Sequence, residues 1–172
     1  MKTGTILMAG AALLALAACS KQRDDSMPDA NGVITKGGLT VNAMSAVTNC
    51  ISPQDMNRPM SEISPEQRRQ LVGCLNAATA RQVNAQLPKQ IDPITRLDSL
   101  STQDATLTYN YTVQRPLASL PPNSVEQLTA ATRRLTCANP QARQTLEFGG
   151  SYAFRWVDSA GALIHEMRID AC

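Results

Sequence analysis

An apolar run from Ile6 to Ala18 opens the chain, and a polar, turn-forming stretch follows it. Beyond residue 39 the apolar positions fall into two rhythms. Val41, Met44, Val47 and Ile51 recur near helical spacing, which predicts a first helix capped by Thr40 and stopped by Ser52-Pro53. Residues 53–63 then form a loop carrying Met56, Met60 and Ile63, and such a loop folds over a core edge. Ser64-Pro65-Glu66-Gln67 marks a second helix: Ser caps, Pro suits the first helical position, and Gln67 completes a capping box. Its apolar stripe is Leu71, Cys74, Leu75 and Ala78, widened by Val72, Thr79 and Val83, and it runs to about Gln86, before Pro88.

The rhythm then changes from helical to alternating. Thr95–Leu100 reads as a strand and Thr102-Gln103-Asp104 as a turn. In the next strand Leu107, Tyr109, Tyr111 and Val113 face one side, and Thr106, Thr108, Asn110 and Thr112 face the other. Pro121-Pro122 breaks the chain before a helix with Val125, Leu128, Ala131, Leu135 and Ala138 in phase; Asn139-Pro140 restarts it as a short helix ending at Gly149-Gly150. Tyr152, Phe154 and Trp156 alternate on a third strand, and Asp158-Ser159-Ala160-Gly161 turns the chain. Leu163, His165, Met167 and Ile169 alternate on the last. The expected fold is α+β: a helical hairpin plus a four-stranded antiparallel sheet in ββ-α-ββ order, with helices on one face and two disulfides.

The leader changes the picture of where this domain works. One charge at Lys2, a short apolar run and small residues at its end make a secretory signal pattern. The run is shorter than the roughly 20 residues a spanning helix needs. Its end, Leu16-Ala17-Ala18-Cys19, resembles the lipobox of bacterial lipoproteins. That resemblance implies a signal peptide over residues 1–18 and lipidation (diacylglycerol and an added acyl chain, palmitate-like) on Cys19. Residues 19–38 are then a flexible tether, with Asn31-Gly32 and Gly37-Gly38, and residues 39–172 a single periplasmic domain. Ser20 rather than Asp after the cysteine implies, by the same resemblance, the outer membrane of a Gram-negative bacterium, facing the periplasm.

With Cys19 assigned to lipid, Cys50, Cys74, Cys137 and Cys172 remain, an even set in an oxidising compartment. Helical phase turns Cys74 inward, where Cys50 of an antiparallel first helix can meet it. Cys137 near a helix end then pairs with Cys172 at the terminus. No C-x-x-C is present, so thioredoxin-type redox chemistry and paired zinc knuckles lack support. Sixteen Lys plus Arg against 14 Asp plus Glu is near balance, with no electrostatic case for nucleic acid.

Candidate chemistry is sparse. His165 is the single histidine, on the apolar-periodic face, with Glu166 pointing to the opposite side of its strand. Asp92 and Asp104 fall in turns, where Asp has structural uses, and Asp98 lies in a strand. No catalytic residue, metal site or cofactor is expected, and the chain reads as a non-enzyme. The Tyr152-Phe154-Trp156 row suits a sheet core better than a ligand platform. Residues 87–97 and 106–113 resemble a segment of uncharacterised secreted and lipid-anchored bacterial proteins: a Pro and an Asp before a strand, then Tyr-x-Tyr. Gly149-Gly150-Ser151-Tyr152 resembles the Ser/Gly-Tyr loop of lipid-anchored lysozyme inhibitors, but the rest of that motif is missing.

The expected function is a non-catalytic binding or assembly module with a protein partner, comparable in build to small secretion-pilot lipoproteins. That comparison rests on architecture and address. A periplasmic inhibitor or immunity lipoprotein against a toxic hydrolase stands second, and an envelope enzyme third. The exposed Thr and Asn of the wet strand face are the surface best suited to recognition.

Overall fold

The computed structural model describes residues 33–36, 39–52, 58–59 and 62–172. The lipobox with Cys19, and Met56 and Met60 of the loop, lie outside the described residues.

The first elements differ from the expected tether and helix start. Val33–Lys36 (β1) and Leu39–Asn42 (β2) pair antiparallel, with Lys36 opposite Leu39. The sequence carries the reason: β-branched residues flank Gly37-Gly38, a two-residue hairpin signal. Thr40 is therefore a strand residue. The cap of the first helix, Ala43–Cys50 (α1), moves to Asn42, whose side chain accepts from the Ser45 N–H at 2.8 Å.

Pro65–Asn84 (α2) begins with the expected capping box: Ser64 Oγ accepts from the Gln67 N–H at 3.2 Å, and Gln67 Oε1 accepts from the Ser64 N–H at 3.0 Å. Its deepest positions are Val72, Asn76, Ala78, Ala80 and Val83, while Leu71, Cys74 and Leu75 are half-buried. The stripe is rotated because α2 is contacted on two sides, by the main sheet and by α1 with β2.

The main sheet has five strands, not the four expected: Lys89–Gln90 (β3), Thr95–Gln103 (β4), Thr106–Val113 (β5), Ser151–Val157 (β6) and Leu163–Ile169 (β7), in spatial order of sequence. Three pairings are antiparallel, but β5 and β6 run parallel. Between them, Ser124–Ala138 (α3) and Pro140–Glu147 (α4) carry the chain back to the end where β5 began. That crossover makes the central pair parallel, whereas a tight turn would have made it antiparallel. The β4–β5 turn is shorter than expected: β4 continues through Gln103, and the turn is Asp104-Ala105, with Asp104 at φ 51°.

One sheet face carries the core. Leu97, Leu100 and Leu107 meet Ala80 and Val83 of α2, and Val113, Phe154, Trp156 and Ile169 meet Leu146 of α4. Tyr109, Tyr111 and Tyr152 join both groups. Helix α3 lies more loosely; none of its residues is fully buried, and Leu135, expected in its stripe, is 67% exposed. Covalent ties fix both ends of the domain. Cys50–Cys74 joins α1 to α2, and Cys137–Cys172 joins the end of α3 to the chain terminus.

Three amide side chains at the end of α2 and just beyond it act as substitute strands. Gln82 and Gln86 each accept from and donate to β2: the Asn42 N–H and C=O meet Gln82 at 2.6 and 3.2 Å, and those of Thr40 meet Gln86 at 2.9 and 2.7 Å. On the other side Asn84 does the same to Leu100 of β4, at 2.7 and 2.8 Å. Backbone groups at strand edges need partners, and these amides supply them.

Candidate functional site

The face of the sheet opposite the core is polar and, among the described residues, carries no core residue of any helix. Strand alternation puts it there: Thr106, Thr108, Asn110 and Thr112 of β5 point away from the side that Leu107, Tyr109, Tyr111 and Val113 bury. Register places Ser151, Ala153 and Arg155 of β6 beside them, with Glu166 and Arg168 of β7 beyond. The rows are partly knitted together. Thr106 Oγ1 and Ser151 Oγ are 2.9 Å apart, and Asn110 Nδ2 donates to Ser99 Oγ at 3.2 Å.

Asp98 gains its place from an irregularity. The β4–β5 register slips between Leu97 and Ser99, and the displaced Asp98 carboxylate accepts from Arg96 Nε and from Thr112 Oγ1. Arg155 and Glu166 are 3.9 Å apart and about half exposed, a contact worth little by itself. At the rim a shallow polar depression of about 260 Å³ opens over Ala153, between Thr108 and Arg168 on the sheet and Arg69 of α2. Small Ala153 makes the floor, and Gly149 lets the Arg69 stem pass closely. Sequence reasoning found the Thr and Asn ladder. It missed Arg69 and Arg168, because only the α2 packing and the β6–β7 register bring them to one rim.

The other candidate residues are placed by structural needs. His165 stacks on buried Trp156 at 6.1 Å between ring centres. Its Nε2 lies 3.1 Å from Thr129 Oγ1, and that hydroxyl donates to the Val125 C=O at 2.8 Å. The hydroxyl's one proton is thereby engaged, so Nε2–H is the donor to Thr129, tying β7 to α3. Glu166 is on the other face, beside Arg155. Asp92 Oδ1 accepts from the N–H groups of Ile94 and Thr95 at 2.9 and 2.8 Å, a turn brace before β4. Asp104 sits in the hairpin turn. Among the described residues no group of three His, Cys, Asp or Glu side chains is arranged to hold a metal ion. Nor, among them, is any helix long and apolar enough to cross a membrane.

The aromatic row joins the core. Tyr109 stacks on Phe154 and Tyr111 on Trp156, with centres 5.3 and 5.7 Å apart. Burial raises the Tyr109 phenol above its ordinary pKa, with neighbouring Tyr152 and Tyr111 adding to it. Burial pushes Tyr111 up to about 12 and raises Tyr152, which a hydrogen bond to Thr145 partly offsets. All three phenols are therefore neutral at physiological pH.

Asp158 does more than open the β6–β7 turn. Its buried carboxylate accepts from the N–H groups of Leu117, Ala160 and Ala162 at 3.0, 2.8 and 2.9 Å. The Leu117 bond leads in holding its pKa below the usual carboxylate value, followed by that from Ala162. This latch joins the β6–β7 turn to the 3₁₀ turn Leu117–Ser119. The Asp-Ser-Ala-Gly spacing marks such a side-chain-braced turn in the sequence.

No protein-family model matches the chain, and no curated protein sequence does. Solved structures do share its fold. The chain is similar to a secreted protein of Pseudomonas aeruginosa, with a TM-score of 0.54, 14% identity, and coverage of 60% of this chain and 93% of the other. It is similar to EpsS, the pilotin of the Vibrio vulnificus type 2 secretion system: TM-score 0.54, 16% identity, 61% and 93% coverage. It is also similar to AspS, the type II secretion system pilotin of Vibrio cholerae: TM-score 0.50, 17% identity, 60% and 92% coverage. At such identity the likeness is one of fold, and it spans nearly the whole length of each pilotin.

Proposed function

We propose that this chain is a non-catalytic, lipid-anchored assembly module of pilotin type, held at the outer membrane through Cys19 and facing the periplasm. The observation that carries the reading is the fold shared with two type II secretion pilotins over more than nine-tenths of their length. Two features of this chain support it independently. The lipobox ending at Cys19 supplies an anchor, with residues 20–32 as tether before β1. The bare polar sheet face offers hydroxyl, amide and guanidinium groups on rigid strands, which suits recognition of a protein partner. In this reading the function is binding. His165 works in packing, the phenols stay protonated, and the four domain cysteines are bridged. The partner is then a protein of the envelope secretion machinery.

The test is affinity capture of the intact protein from detergent-solubilised envelopes, beside Cys19→Ala. The wild type should fractionate with the outer membrane, carry acyl mass on Cys19 and retain a secretion-machine component. Cys19→Ala should lose the membrane address. An unmodified wild type, or capture of a secreted hydrolase instead, would refute the reading.

A further inference from the structure

Among the described residues, side-chain amides and a short strand cover several of the hydrogen-bonding edges of this fold. The outer edge of β2 is taken by Gln82 and Gln86, and β4 is closed by β3 at Arg96 and Leu97 and by Asn84 at Leu100. At that side of the main sheet the edge strand is only Lys89–Gln90. The other side ends in β7, seven residues long and, among the described residues, paired on its β6 side alone. Among the described residues no further hydrogen bond reaches the backbone of residues 164–168. A long edge with unpaired N–H and C=O groups is a template for another strand.

The side chains of β7 say which strand fits. Glu166 and Arg168 are both exposed on the polar face, and half-buried Met167 lies between them on the core face. Two copies of β7 related by a two-fold axis through Met167 pair antiparallel, with Glu166 opposite Arg168 of the second copy and Arg168 opposite its Glu166. His165 then faces Ile169 and Met167 faces Met167. Opposed residues in an antiparallel pair must share a sheet face, so register can move only in steps that keep parity. One step either way puts Glu166 against Glu166 or Arg168 against Arg168, and like charges directly opposite are unfavourable. Among these neighbouring registers the charge order thus favours the one centred on Met167.

We infer that β7 is a self-pairing edge through which two copies of this chain join into one continuous ten-stranded sheet. The two-fold axis is perpendicular to the sheet, so both polar faces look the same way and form one enlarged recognition surface. Glu166 remains beside Arg155 of its own chain, and the second copy's Arg168 approaches from the other side.

Sedimentation equilibrium of the purified full chain in density-matched detergent tests this, with emission of buried Trp156 as the check on folding. The wild type should show a concentration-dependent dimer. Arg168→Glu, which keeps the Glu166–Arg155 contact, should weaken it about tenfold or more, and so should Glu166→Arg. The double variant Glu166→Arg/Arg168→Glu restores both cross-copy pairs and should recover the dimer. Amide exchange at residues 164–168 should slow as protein concentration rises. A wild type that stays monomeric throughout would overturn the inference. So would a dimer indifferent to both charge reversals, or protection of residues 164–168 that appears only when envelope extract is added.

Discussion

Gly73 is the position where one methyl group tests how closely α2 and the β4–β5 hairpin are packed. A Cβ built there lies 2.7 Å from the Asp104 carbonyl oxygen and 3.3 Å from its carbon. The neighbour is backbone in a two-residue turn, so it cannot swing aside as a side chain would. Two effects oppose each other in Gly73→Ala. Replacing glycine inside a helix should stabilise by about 0.5–1 kcal/mol. Overpacking against a fixed turn costs about 1–3 kcal/mol. The turn cannot retreat freely, because Asn76, one helical turn on, donates to the Ala105 C=O at 3.0 Å, and the Ser151 N–H meets the same oxygen at 3.1 Å. Asn76 is buried, and leaving its amide unpaired costs a further ~1–3 kcal/mol. The Asn76 bond is strained without being lost, which about offsets the helix gain, so the clash leaves a net loss of roughly 1–3 kcal/mol. For a domain of this size that lowers Tm by about 3–10 °C. Thermal unfolding followed by far-UV dichroism reads it. Pairing Gly73→Ala with Asn76→Ala should give a clearly sub-additive loss, since both act on one contact. A raised Tm for Gly73→Ala would show that helix propensity wins and that the approach of α2 to the hairpin is looser than described.

Three more outcomes are expected. Replacing Cys137 and Cys172 together by Ala opens a 35-residue span and should cost about 4 kcal/mol in urea unfolding; an unchanged midpoint would refute the tie. Asp158 has a depressed pKa when folded, so its contribution is complete above the usual carboxylate range near pH ~4 and is lost as pH falls through the folded value; Asp158→Asn should flatten the acid limb of a Tm–pH profile. The buried phenols behave oppositely, since the unfolded chain releases their protons from about pH 10 while the fold retains them. Stability should therefore fall above that pH, and phenolate absorbance should rise only with unfolding or near pH 12, not at pH ~10.

Much of the fold was legible because local chemistry and tertiary demand agree. The Ser64–Gln67 capping box, the Tyr109-x-Tyr111 alternation and the inward phase of Cys74 each state a structure within a few residues. What failed needed information from farther away. Strand polarity at β5–β6 depends on where α3 and α4 deliver the chain, which no residue of either strand encodes. The β1–β2 hairpin straddles the expected tether and the expected start of the first helix, although its Gly-Gly signal is present in the sequence. Lys89–Gln90 is too short to announce itself, and it exists as a strand because β4 offers it an edge. The polar sheet face was half visible: period-two polarity gave Thr106 to Thr112, but Arg69 is brought there by packing and Asp98 by a register slip.

The amide clasp between α2 and β2 also sets how this domain carries mechanical load. Tension applied from the N-terminal side of β1 meets Gln82 and Gln86 almost at once. Beyond them the covalent route runs down α1 to Cys50 and crosses directly to Cys74, so the chain between those cysteines is bypassed. Force is thus handed to the middle of the longest helix, which bears on β4 through Asn84 and the core and touches no central residue of the polar face. A protein built this way can be pulled on from the N-terminal side of β1 without distorting the polar face of its sheet.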